Sequence, residues 1–271
     1  MKSVSKLLVA TDLDATLLDH RTYDVSPALP IIEQLKSLDC PIIFNSSKTQ
    51  SEQQSLRETL DIRAPFIIEN GSAVIIPPGQ LNQPDTAAAG YTHVFGLPYP
   101  DLITHLHQLR TQSSYKFRGF SDLTAADLAN IAGLSPAEAA AAKDRQGSEP
   151  LLWEDSETAY QAFTATIAAK GLVTTQGGRF RHVMGDTSKG KALAWLVDRY
   201  EATFPHINWT VVALGDSPND VPMLQTADIG VLIPNPHRKP FEITGVPRLI
   251  RATQPGPSGW VEAISALIKS F

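Results

Sequence analysis

Apolar residues in this chain come in short runs that stop abruptly at polar ones. In KLLVATD, Lys6 to Asp12, they are consecutive rather than alternating, the pattern of a strand buried on both faces of a parallel sheet. Ser26-Pro27 then reads as N-cap and first residue of a helix that carries Leu29, Ile32, Leu35 and Leu38. PIIFNSS reads as a second buried strand and Thr49 to Leu60 as a polar helix. PFIIEN reads as a third strand, with AVIIP close behind it across an Asn70-Gly71 turn. This alternation of strand and helix predicts an α/β fold built on a doubly wound, mostly parallel sheet.

The pattern breaks at PPGQLNQPDTAAAG, Pro77 to Gly90, whose Pro, Gly and polar content marks a domain boundary. Beyond it, strands (HVFGL, PLLWE, LVTTQ, RFRHV) mix with helices near 98–112 and 156–170, and the alanine run 139–142 is helical. The α/β pattern resumes with a helix over 188–204. Then come the strand WTVVALGD, a helix from Val221, the strands DIGVLIP and RLIRA, and a last helix over 257–271. Residues 1–82 and 187–271 are therefore expected to form one core, interrupted by an α+β insertion over 83–186.

Composition narrows the function. The 271 residues are 42% hydrophobic with a net charge of −5, enough apolar material for a sizeable core and no basic run for nucleic acid or an anionic membrane. No stretch is long enough for a membrane span, and the apolar run at Leu7 is cut by Asp12 too early for a signal peptide, so a cytoplasmic protein is expected. The one cysteine, Cys40, lies in apolar CPIIF and excludes an internal disulfide or a cysteine zinc cluster.

Four polar fragments fall at or beside strand ends, where open parallel sheets bind ligands. The first is DLDAT. Asp12 can attack phosphorus to give an aspartyl-phosphate, and Asp14 can pass a proton to the leaving oxygen and later take one from water. Two carboxylates beside a phosphate need a hard cation, and oxygen ligands with phosphate favour Mg2+. The second is GDSPND, where Asp216 can bind that cation and Asp220 can bind a metal water or orient its neighbours. The third is NSSKT, where Ser46 can donate to a phosphoryl oxygen. The fourth is TSKGKAL, where Lys189 supplies a point charge and Gly190 lets a backbone approach closely. Each fragment also has a plain structural reading: an acidic turn, an Asp/Pro turn, a helix cap, a solvated lysine.

Their order decides between the readings. Acid pair, hydroxyl, lysine after the insertion and a second acid pair together resemble the haloacid dehalogenase (HAD) superfamily of phosphatases, and the place of the insertion resembles a type IIB cap. NSSKT, PFIIENGSAVIIP, FSDLTAADLANIAGLS, GGRFRHV, GDSPND and PGPSGW further resemble the mannosyl-3-phosphoglycerate phosphatase family. The resemblance implies a Mg2+-dependent phosphoric monoester hydrolase acting on a small phosphorylated sugar acid in compatible-solute synthesis. Asp12 is then nucleophile and metal ligand, and Asp14 is general acid/base and metal ligand through its carbonyl. Asp216 and Asp220 complete the acids, and Ser46 and Lys189 hold the phosphoryl group.

Ser47, Lys48, Asn70, Arg179 and His182 are the candidates for substrate contacts. Lys116, Arg118 and Arg181 read as surface charge. The family usually has Gly where this chain has Ala15, at a turn that faces phosphate. Two alternatives stay open within the superfamily, a broader sugar-phosphate phosphatase and a phosphohexomutase. A phospho-Asp regulatory protein without turnover is a third, opposed by Asp14 and the insertion.

Overall fold

The computed structural model describes residues 4–81, 90–177 and 180–270. The first part of the chain gives β1 (Val4–Thr11), α1 (Leu29–Ser37), β2 (Ile42–Phe44) and α2 (Gln50–Thr59). It continues through β3 (Phe66–Ile68), β4 (Ala73–Ile76) and β5 (Tyr91–Val94). The insertion supplies α3 (Tyr99–Ser113), β6 (Phe117–Gly119), α4 (Ala125–Ala132), α5 (Pro136–Lys143), β7 (Ser148–Trp153), α6 (Glu157–Ala168), β8 (Leu172–Gly177) and β9 (Phe180–Gly185). The last part gives α7 (Lys189–Thr203), β10 (Ile207–Gly215), α8 (Val221–Thr226), β11 (Ile229–Leu232), β12 (Leu249–Arg251) and α9 (Gly256–Ile268).

The consecutive apolar residues of β1 do what their pattern predicts. Leu7 and Val9 pack on one face with Ile32, Leu35, Trp260 and Ile264. Leu8 and Ala10 pack on the other with Ala192, Leu196 and Met223. A strand covered on both faces belongs at the centre of a sheet. The parallel sheet runs β12-β11-β10-β1-β2, with β1 in register beside β10 from Val4↔Ile207 to Thr11↔Leu214. The fold is therefore α/β with a parallel five-strand core and separate antiparallel sheets.

Two local readings are corrected. Ser26-Pro27 does not start α1: residues 26–28 make a separate 3-10 turn, and α1 begins at Leu29. Pro30 has no N–H and is tolerated only in a first turn, so the helix restarts around it. Leu29 and Leu38 are consequently exposed, while Ile32 and Leu35 are buried. The third strand is not part of the parallel sheet. β3 pairs antiparallel with β4 and meets the chain just after β2 through the isolated parallel bridge Asn45↔Ile67. The reversal is made by three successive residues at positive φ, Glu69 (52°), Asn70 (60°) and Gly71 (93°). Gly71 is required there, because a Cβ would collide with the carbonyl of Ser188. β5, inside the stretch assigned to the insertion, is bonded to β4.

The insertion builds its own four-stranded antiparallel sheet, β6-β7-β9-β8. Its core gathers Leu102, Leu106, Phe117, Leu151, Phe163 and Val183, and a second cluster forms under α4 and α5. Among the described residues no helix is long and apolar enough to cross a membrane.

Candidate active site

Three carboxylates meet where β1 and β10 end. Oxygens of Asp12, Asp216 and Asp220, all buried, lie within 4.8 Å of one another. Asp12 follows β1 directly, and its N–H donates to Leu214 O at 2.9 Å, so the sheet register itself fixes its place. Thr11 Oγ1 donates to the carbonyl of Asp12 at 2.7 Å and accepts from Trp260 Nε1 at 3.1 Å. The last helix thus braces the strand end through a fully buried Trp260.

Lys189 enters from the start of α7, buried, with Nζ 2.6 Å from Asp12 Oδ1 and 2.6 Å from Asp220 Oδ1. Ser188 caps the helix by accepting from Lys191 N, and Asn45 at the end of β2 donates to Lys189 O at 3.0 Å. Gly190 permits a close approach, but to α8 rather than to a ligand: a Cβ there would collide with Pro222 O. Burial alone would lower the Lys189 pKa, yet Asp12 and Asp220 outweigh it and hold the ammonium above its ordinary range.

The acids carry the opposite stress. Burial pushes Asp12 well above the ordinary carboxylate range; Lys189 pulls it back, and Asp220, Asp216 and Asp14 push it up again. Asp216 is also raised, first by burial and then by Asp220. One buried lysine does not balance this cluster, so the donor set fits a hard divalent cation.

The oxygens are unequally free. Asp220 Oδ1 accepts from Lys189, and its Oδ2 accepts from Asp216 N, Ser217 N and Ser217 Oγ at 3.1, 3.0 and 2.8 Å. Asp12 Oδ2 accepts no hydrogen bond from the described residues, and Asp216 Oδ1 meets only Thr16 Oγ1, at 3.4 Å. Asp216 Oδ2 accepts from Asn235 Nδ2 at 2.6 Å.

Around the cluster lies a cavity of about 380 Å³ between core and insertion. Asp14 lines it with its side chain 40% exposed, paired to Lys48 at 3.1 Å. Ala15 holds φ 62°, a left-handed conformation that explains why glycine suits this position. Ser46 is buried; its Oγ accepts from Lys48 N at 3.3 Å and donates to no described residue. Ser47 lines the cavity. His182 lines it from β9, buried, with Nδ1 unpartnered among the described residues. Burial, with Arg145 nearby, drives its pKa down to about 3, so the ring is neutral and no cation.

Asn70 is turned elsewhere. It accepts from Asn219 Nδ2 at 3.0 Å and lines a separate cleft of about 290 Å³ behind Lys189. Arg179 lies outside the described residues. Arg118 and Arg181 pair with Glu154 and Glu157 on the insertion's surface. Arg145 and Asn235, which the sequence reading did not single out, line the cavity too. Asn235 carries no motif; it is found only through its bond to Asp216.

Comparison with known proteins gives a consistent picture. A family model described as sucrose-6F-phosphate phosphohydrolase matches residues 175–267. Over 267 residues the chain is 37% identical to a glucosyl-3-phosphoglycerate/mannosyl-3-phosphoglycerate phosphatase of Methanococcoides burtonii, covering 97% of each. A protein of the same name from Persephonella marina is 34% identical over 269 residues, 98% of each chain. The sucrose-phosphatase of Synechocystis, solved with sucrose and phosphate, has a TM-score of 0.62 at 15% identity, covering 99% of each chain. A HAD-superfamily phosphatase of Bacteroides thetaiotaomicron has a TM-score of 0.66 at 18% identity, covering 98% of this chain and 95% of that one. At such identities the two structures speak for the fold, whereas the two full-length relatives speak for the family. The fold is that of the HAD-superfamily phosphatase it superposes on, and the chain belongs to the glucosyl-3-phosphoglycerate/mannosyl-3-phosphoglycerate phosphatase family.

Proposed function

We propose that this protein hydrolyses a glycosyl-3-phosphoglycerate, mannosyl or glucosyl, to the glycosylglycerate and phosphate through an aspartyl-phosphate on Asp12. The observation that carries the reading is the buried surplus of negative charge at the ends of β1 and β10, with one Asp12 oxygen free and the other held by Lys189. A nucleophilic carboxylate needs that free oxygen. Its partner Lys189 steadies it and faces the spread charge of the transferring phosphoryl group. Ser46, with an unused hydroxyl proton, donates to a phosphoryl oxygen.

Asp14 stands at the cavity mouth, exposed enough to exchange protons with solvent, and Lys48 holds it in place. It protonates the leaving oxygen of the glycerate and then takes a proton from the water that opens the aspartyl-phosphate. Asp12, Asp216 and the carbonyl of Asp14 would hold Mg2+; Asp220, its oxygens already engaged, positions Lys189 and the Ser217 turn. Bound Mg2+ supplies neutralisation of the charge shared by carboxylates and phosphoryl oxygens. Ser47, Lys48 and His182 border the room left for the sugar and the acid, His182 as a neutral hydrogen-bonding ring. Asn70 contributes indirectly, through Asn219.

The test is phosphate release from a panel of phosphorylated substrates, with and without Mg2+, including both glycosyl-3-phosphoglycerates. Mg2+-dependent release from one or both is expected, with no isomer formed. Formation of a rearranged sugar phosphate instead of free phosphate would reassign the protein as a mutase.

A further inference from the structure

One cation in the cavity wall has no task in the mechanism above. Arg145 follows α5 in the insertion, and its side chain is only 2% exposed. It lines the same cavity as Asp12, Lys48 and His182. Its Nε donates to Ser148 O at 2.7 Å, one terminal nitrogen to Ala142 O at 3.1 Å and the other to Ser148 Oγ at 2.7 Å. A guanidinium carries five N–H groups. One N–H on each terminal nitrogen therefore has no acceptor among the described residues.

The other basic side chains of the cavity face the core acids. Lys48 pairs with Asp14, and Arg238, half exposed, lies 3.7 Å from Asp216. His182 is neutral. Two spare N–H groups, one on each terminal nitrogen, are the number that a carboxylate takes from a guanidinium in a bidentate pair.

Behind Arg145 stands Glu69, fully buried on the strained turn after β3. Its carboxylate lies 3.5 Å from Arg145 Nε. It also accepts from Gln146 N at 2.7 Å, Gly147 N at 3.3 Å, Ser148 N at 3.0 Å and Ser148 Oγ at 2.8 Å. Glu69 belongs to the core, while residues 145–148 belong to the insertion. Its own N–H donates to Lys48 O at 3.0 Å, and Asn70 N donates to Ser46 O at 2.9 Å. The turn that carries Glu69 is thus tied to the loop that carries Ser46. Glu69 therefore ties the guanidinium, carried by the insertion, to the core loop of Ser46.

We propose that Arg145 recognises the carboxylate of the phosphorylated sugar acid, and that Glu69 is a positioning residue that holds the guanidinium from the core. This rests on the substrate reading above and adds the group that selects for the acid. The experiment compares a glycosyl-3-phosphoglycerate with its analogue in which the carboxylate is replaced by CH2OH. Wild type is expected to favour the acid by roughly 100-fold in kcat/KM, and Arg145→Gln to bring that ratio to roughly 1. Glu69→Gln should raise KM for the acid roughly tenfold while kcat changes little, a split that general loosening of the fold would not give.

A preserved ratio in Arg145→Gln, or an equal fall on both substrates, overturns the proposal and makes Arg145 a structural staple. Should Arg145→Gln fail to fold, Arg145→Lys carries the test: it keeps the charge without the fork, and the same two outcomes overturn the proposal. Wild-type protein that releases phosphate from neither compound overturns the substrate reading itself, and that arm is read before any variant.

Discussion

The core and the insertion treat buried charge in opposite ways. In the core, Asp12, Asp216 and Asp220 crowd together against a single buried lysine. In the insertion, Glu149 is as deeply buried, and burial raises its pKa, yet Ser121 N, Ser121 Oγ and Tyr99 OH all donate to it. Arg145 there is matched by Glu69. Burying an uncompensated charge costs several kcal/mol, so a fold keeps an unbalanced cluster only where something from outside completes it. In the insertion each of these buried charges has hydrogen-bond or ion-pair partners within the chain, with two N–H groups of Arg145 left over. The core's surplus is the one that fits a cation, and that contrast marks where the proposed chemistry would sit.

The sharpest way to break the contrast is to remove the nucleophile. Asp12→Asn is expected to abolish phosphate release, a loss of roughly 10⁴-fold or more, since no second group can form the acyl-phosphate. Stripping divalent cations with a chelator should stop wild-type release as fully, and added Mg2+ should restore it. Substantial turnover in Asp12→Asn would move the nucleophile elsewhere and leave the core cluster as structure alone. Next in size is Asp14→Asn, expected to slow turnover by roughly 10²–10⁴-fold, the usual weight of a general acid/base. If Asp14 activates water, phosphorylated protein should accumulate on mixing with substrate, visible as a shift in intact mass.

One electrostatic cost in the insertion can be tested by pH. His182 is held neutral in the folded state, with its pKa near 3, while the unfolded chain binds a proton near pH 6.5. Between those values the unfolded state binds more protons, so stability is full above about pH 6.5 and falls as pH drops towards 3. The slope from this one group approaches about 1.4 kcal/mol per pH unit. Chemical unfolding of wild type and His182→Gln across pH 4–7 isolates it. Parallel curves would mean that water or substrate groups keep the ring solvated, and that the insertion is less dry than its packing implies.

The same division governs what the sequence reveals. The core site is legible because each residue sits at or next to the end of an apolar run: Asp12 after β1, Ser46 after β2, Asp216 after β10. Strand pairing then brings those ends together, as Val9 lying beside both Val212 and Ile42 shows. Backbone topology alone therefore assembles the carboxylates. The insertion's contribution depends on side chains meeting across long stretches of chain, such as Glu69 with Arg145, and no local pattern announces that. Arg145 sits in DRQGSEP like any surface charge, and only its burial marks it out. His182 was legible as a position on an alternating strand, but not as a neutral ring. The β3 reading held in part: the Asn70-Gly71 turn was legible and β3 meets the chain after β2 in the parallel sense at Asn45↔Ile67, but its ladder runs to β4, and the added positive φ at Glu69 is not demanded by its residue type.

The smallest expected effect tests whether the core site also stores backbone strain. Ala15 adopts φ 62°, a region that costs an L-residue roughly 1–2 kcal/mol more than glycine. Ala15→Gly removes that cost but gives the unfolded chain more freedom, worth about 0.4–1 kcal/mol in the other direction. The net is a gain of about 0.5 kcal/mol, a rise in melting temperature of about 1–2 °C in a chain of this size. Thr16 and Asp14 flank the position, and Thr16 Oγ1 reaches Asp216, so a relaxed turn would also shift the floor of the phosphoryl site. A stability gain with kcat within a few-fold of wild type is expected. A melting point that falls on the change to glycine would show that the methyl group earns its place by packing, since Ala15 is buried and lines the cavity.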